Sequence, residues 1–231
     1  MTYSEAMHPL VDRLDAALAA NYPALYDVLA PGSPGEDIDE LEREFGMPLP
    51  EAYRSFLAWR GPNPPGTYPC SGYMIKIYEL TSARNALESV QMHRDLREEP
   101  GWVQAAWWGE FYLPLMAHGG PELVIDMAGE ALLDSGGGED NPYPTQPAQV
   151  LEFHHDSEMR PIHAPSLEVW LEAFAITCER KLFGVNVNDY GSGRIVELTD
   201  ENDAFEHVLK ELAPGFPTDT TVLHFPDYFD M

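Results

Sequence analysis

The densest set of side chains able to do chemistry is His154-His155-Asp156, with Glu152, Glu158 and His163 close by in the sequence. Imidazoles beside carboxylates form both an acid–base set and a metal-ligand set. The spacing argues against one shared ion, because Gln149 to His155, QVLEFHH, reads as a strand. Neighbouring strand residues point to opposite faces, so His154 and His155 cannot both reach one cation from regular geometry. Neither the i, i+4 helical pair nor the short Cys-x-x-Cys turn of tight metal motifs occurs. A polar exit from a strand accounts for the same residues, so neither a metal nor a cofactor is expected. Asp126 follows Val124-Ile125 at another strand end, a position that could hold a catalytic carboxylate, although paired carboxylates for acid–base work also need a cleft. Ser33, Ser71, Ser82 and Ser166 lack the strand–turn–helix context of an activated nucleophile, and Ser166 is better explained as a helix cap. The glycine run at Ser135–Gly138 is followed by Glu139 and Asp140, which repel phosphate where a cradle needs a helix N-terminus. No catalytic residue is expected. Trp102, Trp107 and Trp108, with Phe111 and Tyr112, read either as core packing or as the rigid aromatic anchors of an interaction surface.

The elements that would position these groups follow from periodicity. Ser33 to Arg60 predicts two helices meeting at a tight corner. Ser33 is placed to cap, Pro34 to take the first helical position, and Glu36 to complete a capping box. Ile38, Leu41 and Phe45 share one face, Gly46 supplies a left-handed stop, and Pro50 opens a second helix striped by Tyr53, Phe56 and Leu57. Two short amphipathic helices cannot bury both stripes alone, so the pair must dock on something larger. Before it, His8 to Leu29 predicts one helix and a short second one. After it, Tyr73 to Leu80 reads as one strand, Thr81 or Ser82 to about Arg97 as a helix, and Phe111 to Ala117 as a strand. Pro114 puts that strand at an edge or on a bulge. Glu122 to Met127 and Gln149 to His155 are further strands around a Gly/Pro-rich acidic loop. Ser166 to Leu182 is the clearest helix, with Leu167, Trp170, Leu171, Phe174, Cys178 and Leu182 on one stripe. A short strand near Arg194–Leu198 and a helix from Asp200 to Leu212 complete the pattern.

Charge is the informative bulk property. The 231 residues carry 39 Asp and Glu against 13 Lys and Arg, a formal −26, far beyond what solubility requires. The imbalance is uneven: Arg97 to Arg160 encloses twelve acids and no base, and nine acids face the single Lys210 from Ile195 onward. Such a surface repels nucleic acid and anionic membrane and accelerates capture of basic partners. An acidic proteome would give the same bias. The opening residues, MTYSEAMHPLVDRLD, have no basic segment followed by an apolar run, and no segment reaches the length of a membrane span. With Cys70 and Cys178 read as reduced thiols, the expectation is a cytoplasmic protein.

The order of four motifs then resembles the SMI1/KNR4 family, also called the SUKH superfamily. The corner carries Gly46, Leu49, Pro50, Tyr53, Phe56 and Leu57; HGGPELVID supplies a Gly-rich turn, strand and Asp126; QVLEFHHD ends in His155 and Asp156; APSLEVWL opens the long helix with Ser166, Leu167, Trp170 and Leu171. The resemblance covers roughly residues 37–183. It implies an α+β fold, a single domain over residues 1–183 with a mostly antiparallel sheet flanked by helices; the tail goes beyond the family pattern, and residues 184–231 are expected as an extension packed on the same domain. It also implies that Gly46, Leu49, Pro50, Tyr53, Phe56, Leu57, Asp126 and Trp170 serve the scaffold.

Bacterial members of the family resemble immunity proteins that bind and neutralise a cognate toxin. Joined to the charge, this predicts a non-enzymatic inhibitor of a basic toxin, a nuclease for instance. Asp134, Glu139, Asp140, Asp156, Trp107 and Trp108 are the contact candidates. The alternative implied by the family is a regulatory scaffold, as in fungal cell-wall regulators, although their long disordered flanks are missing here.

Overall fold

The computed structural model describes residues 7–62, 72–75, 78–98, 108–117, 120–129, 146–155, 157, 160–190 and 193–218. Helix α1 (Pro9–Asn21) starts on a proline and buries Val11, Leu14, Ala17 and Leu18 at helical spacing. A single turn, α2 (Pro23–Tyr26), follows. Strand β1 (Ala30–Pro31) pairs with β2 (Arg60–Gly61) and draws together the two ends of the corner. Between them lie α3 (Gly35–Phe45) and α4 (Glu51–Trp59), burying Ile38, Leu41 and Phe45 on one and Ala52, Tyr53, Phe56, Leu57 and Trp59 on the other. Gly46 closes α3 at φ 88°, where a side chain would be strained. Gly32 is needed for a different reason: a Cβ there would lie 2.1 Å from the Ala58 carbonyl oxygen.

The corner departs from expectation in how it is capped. Pro34 occupies the cap position of α3 without a side-chain bond. The Ser33 hydroxyl instead accepts from the Ala83 N–H at 2.8 Å, serving the start of α5 (Ala83–Glu98), fifty residues away. Glu42 does the local work. Its carboxylate accepts from the Leu49 N–H at 2.9 Å and from Arg54 at 3.2 Å, tying the turn to the second helix.

The expected single strand over 73–80 is two strands, β3 (Gly72–Ile75) and β4 (Tyr78–Leu80), which pair antiparallel with a register shift. They join β5 (Tyr112–Ala117), β6 (Glu122–Asp126), β7 (Gln149–Phe153), β8 (Ile162–Ala164), β9 (Gly184–Tyr190) and β10 (Gly193–Thr199). Among the described residues these form an eight-stranded sheet in the order β8-β7-β6-β5-β4-β3-β10-β9. Every pairing is antiparallel except that of β10 with β3, so this is an α+β fold with a mostly antiparallel sheet. Pro114 sits in an internal strand and takes the bulge; its carbonyl accepts the Tyr53 hydroxyl.

Helix α6 (Leu167–Glu179), capped by the Ser166 hydroxyl on the Val169 N–H, packs between α1 and α7 (Ala204–Leu212). It ends before Leu182, which is exposed rather than part of the buried stripe. Strand alternation divides the core. On β6, Leu123 and Ile125 join the main cluster with the helices, while Val124 turns to a second cluster with Trp108, Tyr112, Leu151, Phe153 and Ile162. Fully burying each such aliphatic side chain contributes about 1.5–3 kcal/mol, so both faces of the sheet hold it in place. No helix among the described residues is long and apolar enough to cross a membrane.

Candidate functional site

The residues singled out from the sequence fall into three groups. Asp134, Glu139, Asp140, Asp156 and Trp107 lie outside the described residues. Trp108 is a correction, because it is fully buried. Its ring stacks on His93 with centroids 4.0 Å apart and meets Tyr112 and Phe153 edge-on at 5.3 and 4.8 Å. A side chain closed off by its own chain cannot anchor a partner, so Trp108 is core. The scaffold residues sit at structural positions. Tyr53, Phe56, Leu57 and Trp170 are buried, as is Leu49, while Pro50 is half-buried at the cap of α4. Asp126 is fully buried and accepts from Gln149 Nε2 at 2.9 Å, and its backbone oxygen accepts from the Ala148 N–H. It fastens the end of β6 to the start of β7.

Two polar clusters with catalytic composition are nevertheless brought together. The first is Ser89 and His93 on α5 with Glu122 at the start of β6. The Ser89 hydroxyl lies 3.0 and 3.2 Å from the two Glu122 oxygens, and His93 Nδ1 is 2.9 Å from the Ser89 carbonyl. In a nucleophilic triad the imidazole stands between hydroxyl and carboxylate. Here the hydroxyl donates straight to the carboxylate, while His93 Nδ1 lies both 3.2 Å from the Ser89 hydroxyl and 2.9 Å from the Ser89 carbonyl, so the imidazole does not stand between hydroxyl and carboxylate as a relay. Burial lowers the His93 pKa to about 4, and burial raises that of Glu122 to about 7, the Ser89 bond opposing it. This is a closed polar knot beneath Trp108.

The second cluster opens on a cavity. Glu152 on β7 accepts from His154 Nε2 at 2.6 Å through one oxygen and from His163 Nε2 on β8 at 3.1 Å through the other. The Tyr78 hydroxyl also bonds Glu152. Burial alone would raise the Glu152 pKa, but the bonds and charges of His163 and His154 outweigh it and hold the carboxylate at about 2. Saturated in this way, Glu152 is a fixed anion and a poor base. Strand alternation had placed His154 and His155 on opposite faces; the partner of His154 comes instead from Glu152, two residues back on the same face. Among the described residues, no group of three or more His, Cys, Asp or Glu is arranged to hold a metal ion.

Beside this cluster lies a cavity of about 230 Å³ between the sheet, α6 and α7. Its deep wall is Tyr78, Leu123, Trp170, Phe205, Leu209 and Thr218, all buried. Its outer wall includes Asp200, Asp203 and Glu206, the last ion-paired with Lys210 one turn along α7, and among the described residues no Lys or Arg lines it. Each acid is set there by local structure. Asp200 caps α7, accepting from the Ala204 and Phe205 N–H groups at 2.6 and 3.2 Å. Asp203 takes the left-handed position before the helix at φ 50°, and Glu206 falls in the first turn, where acids favour the dipole. Thr218 closes the side by pairing with Ile162 on the free edge of β8. Sequence reasoning missed this assembly. His163 lies on a three-residue strand, and α7 is far from the sheet in sequence and packs chiefly on α6.

The corner, the internal strands and the α6 opening together correspond to one known protein class. The chain belongs to the SMI1/KNR4 (SUKH-1) family, whose model matches residues 33–173. No individual curated protein matches the chain significantly. The matched span ends within α6, so the acidic α7 wall of the cavity lies wholly beyond it.

Proposed function

We propose that this chain is a non-enzymatic immunity protein that neutralises a basic toxin by stoichiometric binding through an acidic surface. One observation carries the reading: a formal charge of −26 together with a cavity whose buried floor is largely apolar and whose outer wall holds Asp200, Asp203 and Glu206, the last paired along α7 with Lys210. A family scaffold with acids placed beyond the matched span suits recognition of a particular partner, and complementary charge favours fast capture. Family membership supports the same reading. A cytoplasmic location would place the inhibitor where an incoming toxin acts. The test is co-expression with basic effector toxins of the native host, taking first any encoded beside its gene. Cells should survive only with the intact chain, and the affinity of the purified complex should fall at least tenfold between about 50 and 500 mM salt. Rescue without a stable complex, or binding unaffected by salt, would sink the electrostatic mechanism.

A further inference from the structure

We infer that strand β9 is a self-association surface, pairing antiparallel with β9 of a second copy of this chain about a two-fold axis at Val187. The two edges of the eight-stranded sheet are built differently. At one end β8 is three residues long and lies between Pro161 and Pro165. Its Ile162 carbonyl accepts from the Thr218 N–H at 2.9 Å, and its Ile162 N–H donates to the Thr218 hydroxyl at 3.0 Å. Short length, proline and cover are the usual defences of a sheet edge. At the other end β9 (Gly184–Tyr190) has none of them. It is seven residues long, about 24 Å at about 3.4 Å per residue. It matches β10 residue for residue without a register shift, contains no proline, and is exposed from Gly184 to Asp189. A long, regular, uncovered edge offers its outer main-chain N–H and C=O groups to another strand.

Side chains and charge name the occupant. Val187 lies across the ladder from Val196, and Val185 from Leu198, both of them buried. Directly opposed residues share a face, so the two valines carry the core face of the sheet out past its last covered strand. With Leu182, two residues before the strand, they are three of the six large hydrophobic side chains exposed among the described residues. The strand is also close to self-complementary. An antiparallel copy centred on Val187 sets valine against valine and Asn186 against Asn188, and places Asp189 opposite Val185 rather than opposite another acid. From Arg180 to Arg194 three bases stand against one acid, in a chain of 13 against 39. Two strongly negative copies therefore meet here with the least repulsion, whereas a basic partner finds its complement elsewhere on the surface. One strand pair with its valines is a small contact, below the roughly 1,200 Å² of a standard interface, so the dimer is weak, with a Kd on the order of 10–100 µM. This pairing does not use the acids of the toxin reading and stands apart from it.

The experiment is sedimentation velocity on the full chain from about 1 to about 500 µM, with amide hydrogen exchange at both ends of that range. Monomer should pass to dimer as concentration rises, and the β9 amides should be the ones that gain protection. Added salt should tighten the dimer by screening two negative copies from each other, the opposite sign to toxin binding. Val187→Lys sets like charge against itself at the axis and should raise the dimer Kd at least about tenfold. Met92→Lys, at an exposed apolar position on α5, should leave that Kd unchanged. A chain that stays monomeric to about 500 µM would overturn the inference. So would a dimer indifferent to Val187→Lys, one loosened by salt, or protection gained elsewhere than β9. Should Val187→Lys not fold, the exchange pattern of the unaltered chain decides the matter alone.

Discussion

Glu122 and Glu152 lie on neighbouring strands but on opposite faces, Glu122 beside Phe153 and Glu152 beside Leu123. Both are largely buried and both have histidines near. Their protons nevertheless behave in opposite ways. Glu122 receives one hydroxyl and keeps its imidazole at 3.9 Å, so burial wins and the pKa rises to about 7. Glu152 receives two imidazoles and a phenol, which overcome burial and hold it near 2. The number of donors, not depth, decides which carboxylate stays charged. The closed face uses its polar knot for architecture, and the open face keeps a permanent anion beside a cavity.

The largest expected effect tests whether the closed face is architecture. Trp108→Ala should cost about 3–5 kcal/mol in urea unfolding, the range for emptying a buried aromatic site. Asp203→Asn at the open rim, where Asn also tolerates the left-handed backbone, should stay within about 0.5 kcal/mol. A mild Trp108 effect would mean that its face relaxes easily, and would break the comparison.

Next comes the pH dependence of the knot. Folded Glu122 keeps its proton up to about pH 7, whereas an unfolded glutamate loses it near 4.5. The folded state then binds more protons, and stability falls as pH rises through that window. Folded His93 stays neutral down to about pH 4, against 6.5 unfolded, so its contribution rises with pH from 4 to 6.5. Between 4.5 and 6.5 the slopes oppose, each bounded by about 1.4 kcal/mol per pH unit. Glu122→Gln should uncover stability that rises with pH, and His93→Gln stability that falls. Parallel profiles of the two variants would show that the groups are not separately buried as described.

What was legible in the sequence was local. Ile38, Leu41, Phe45 and Gly46 announce a helix and its stop because their spacing is helical and glycine alone suits φ 88°. Leu167, Trp170, Leu171 and Phe174 do the same for α6. Ser33 misled because a hydroxyl before a helix is the usual cap, yet its partner, the Ala83 N–H, belongs to another helix. Strand β9, GVNVNDY, does not stand out in the sequence although Val185 and Val187 alternate with asparagines, because Gly, Asn and Asp are depleted in strands. Strand β8 was hidden by prolines at 161 and 165 around three residues. Trp108 reads as core or as anchor until α5 brings His93 over it. The cavity was not legible at all: its walls come from residues 78 to 218, and no local pattern encodes that convergence.

The smallest effect sharpens the contrast from the open side. Glu152 titrates near 2 when folded and near 4.5 when unfolded. It therefore contributes stability that is fully present above about pH 4.5 and is lost as pH falls towards 2. The side chain is 23% exposed, so solvent screening brings the contribution down to about 1–2 kcal/mol from the roughly 3.4 that the whole shift would represent. Glu152→Gln should be less stable than wild type by that amount at neutral pH, and flatter between pH 2 and 4.5. At pH 8, where wild-type Glu122 is ionised at a cost, Glu122→Gln should move the other way and stabilise. Two neutral isosteres one strand apart would then shift the urea midpoint in opposite directions. If both lowered it, the donors around Glu152 would not be what separates the two faces.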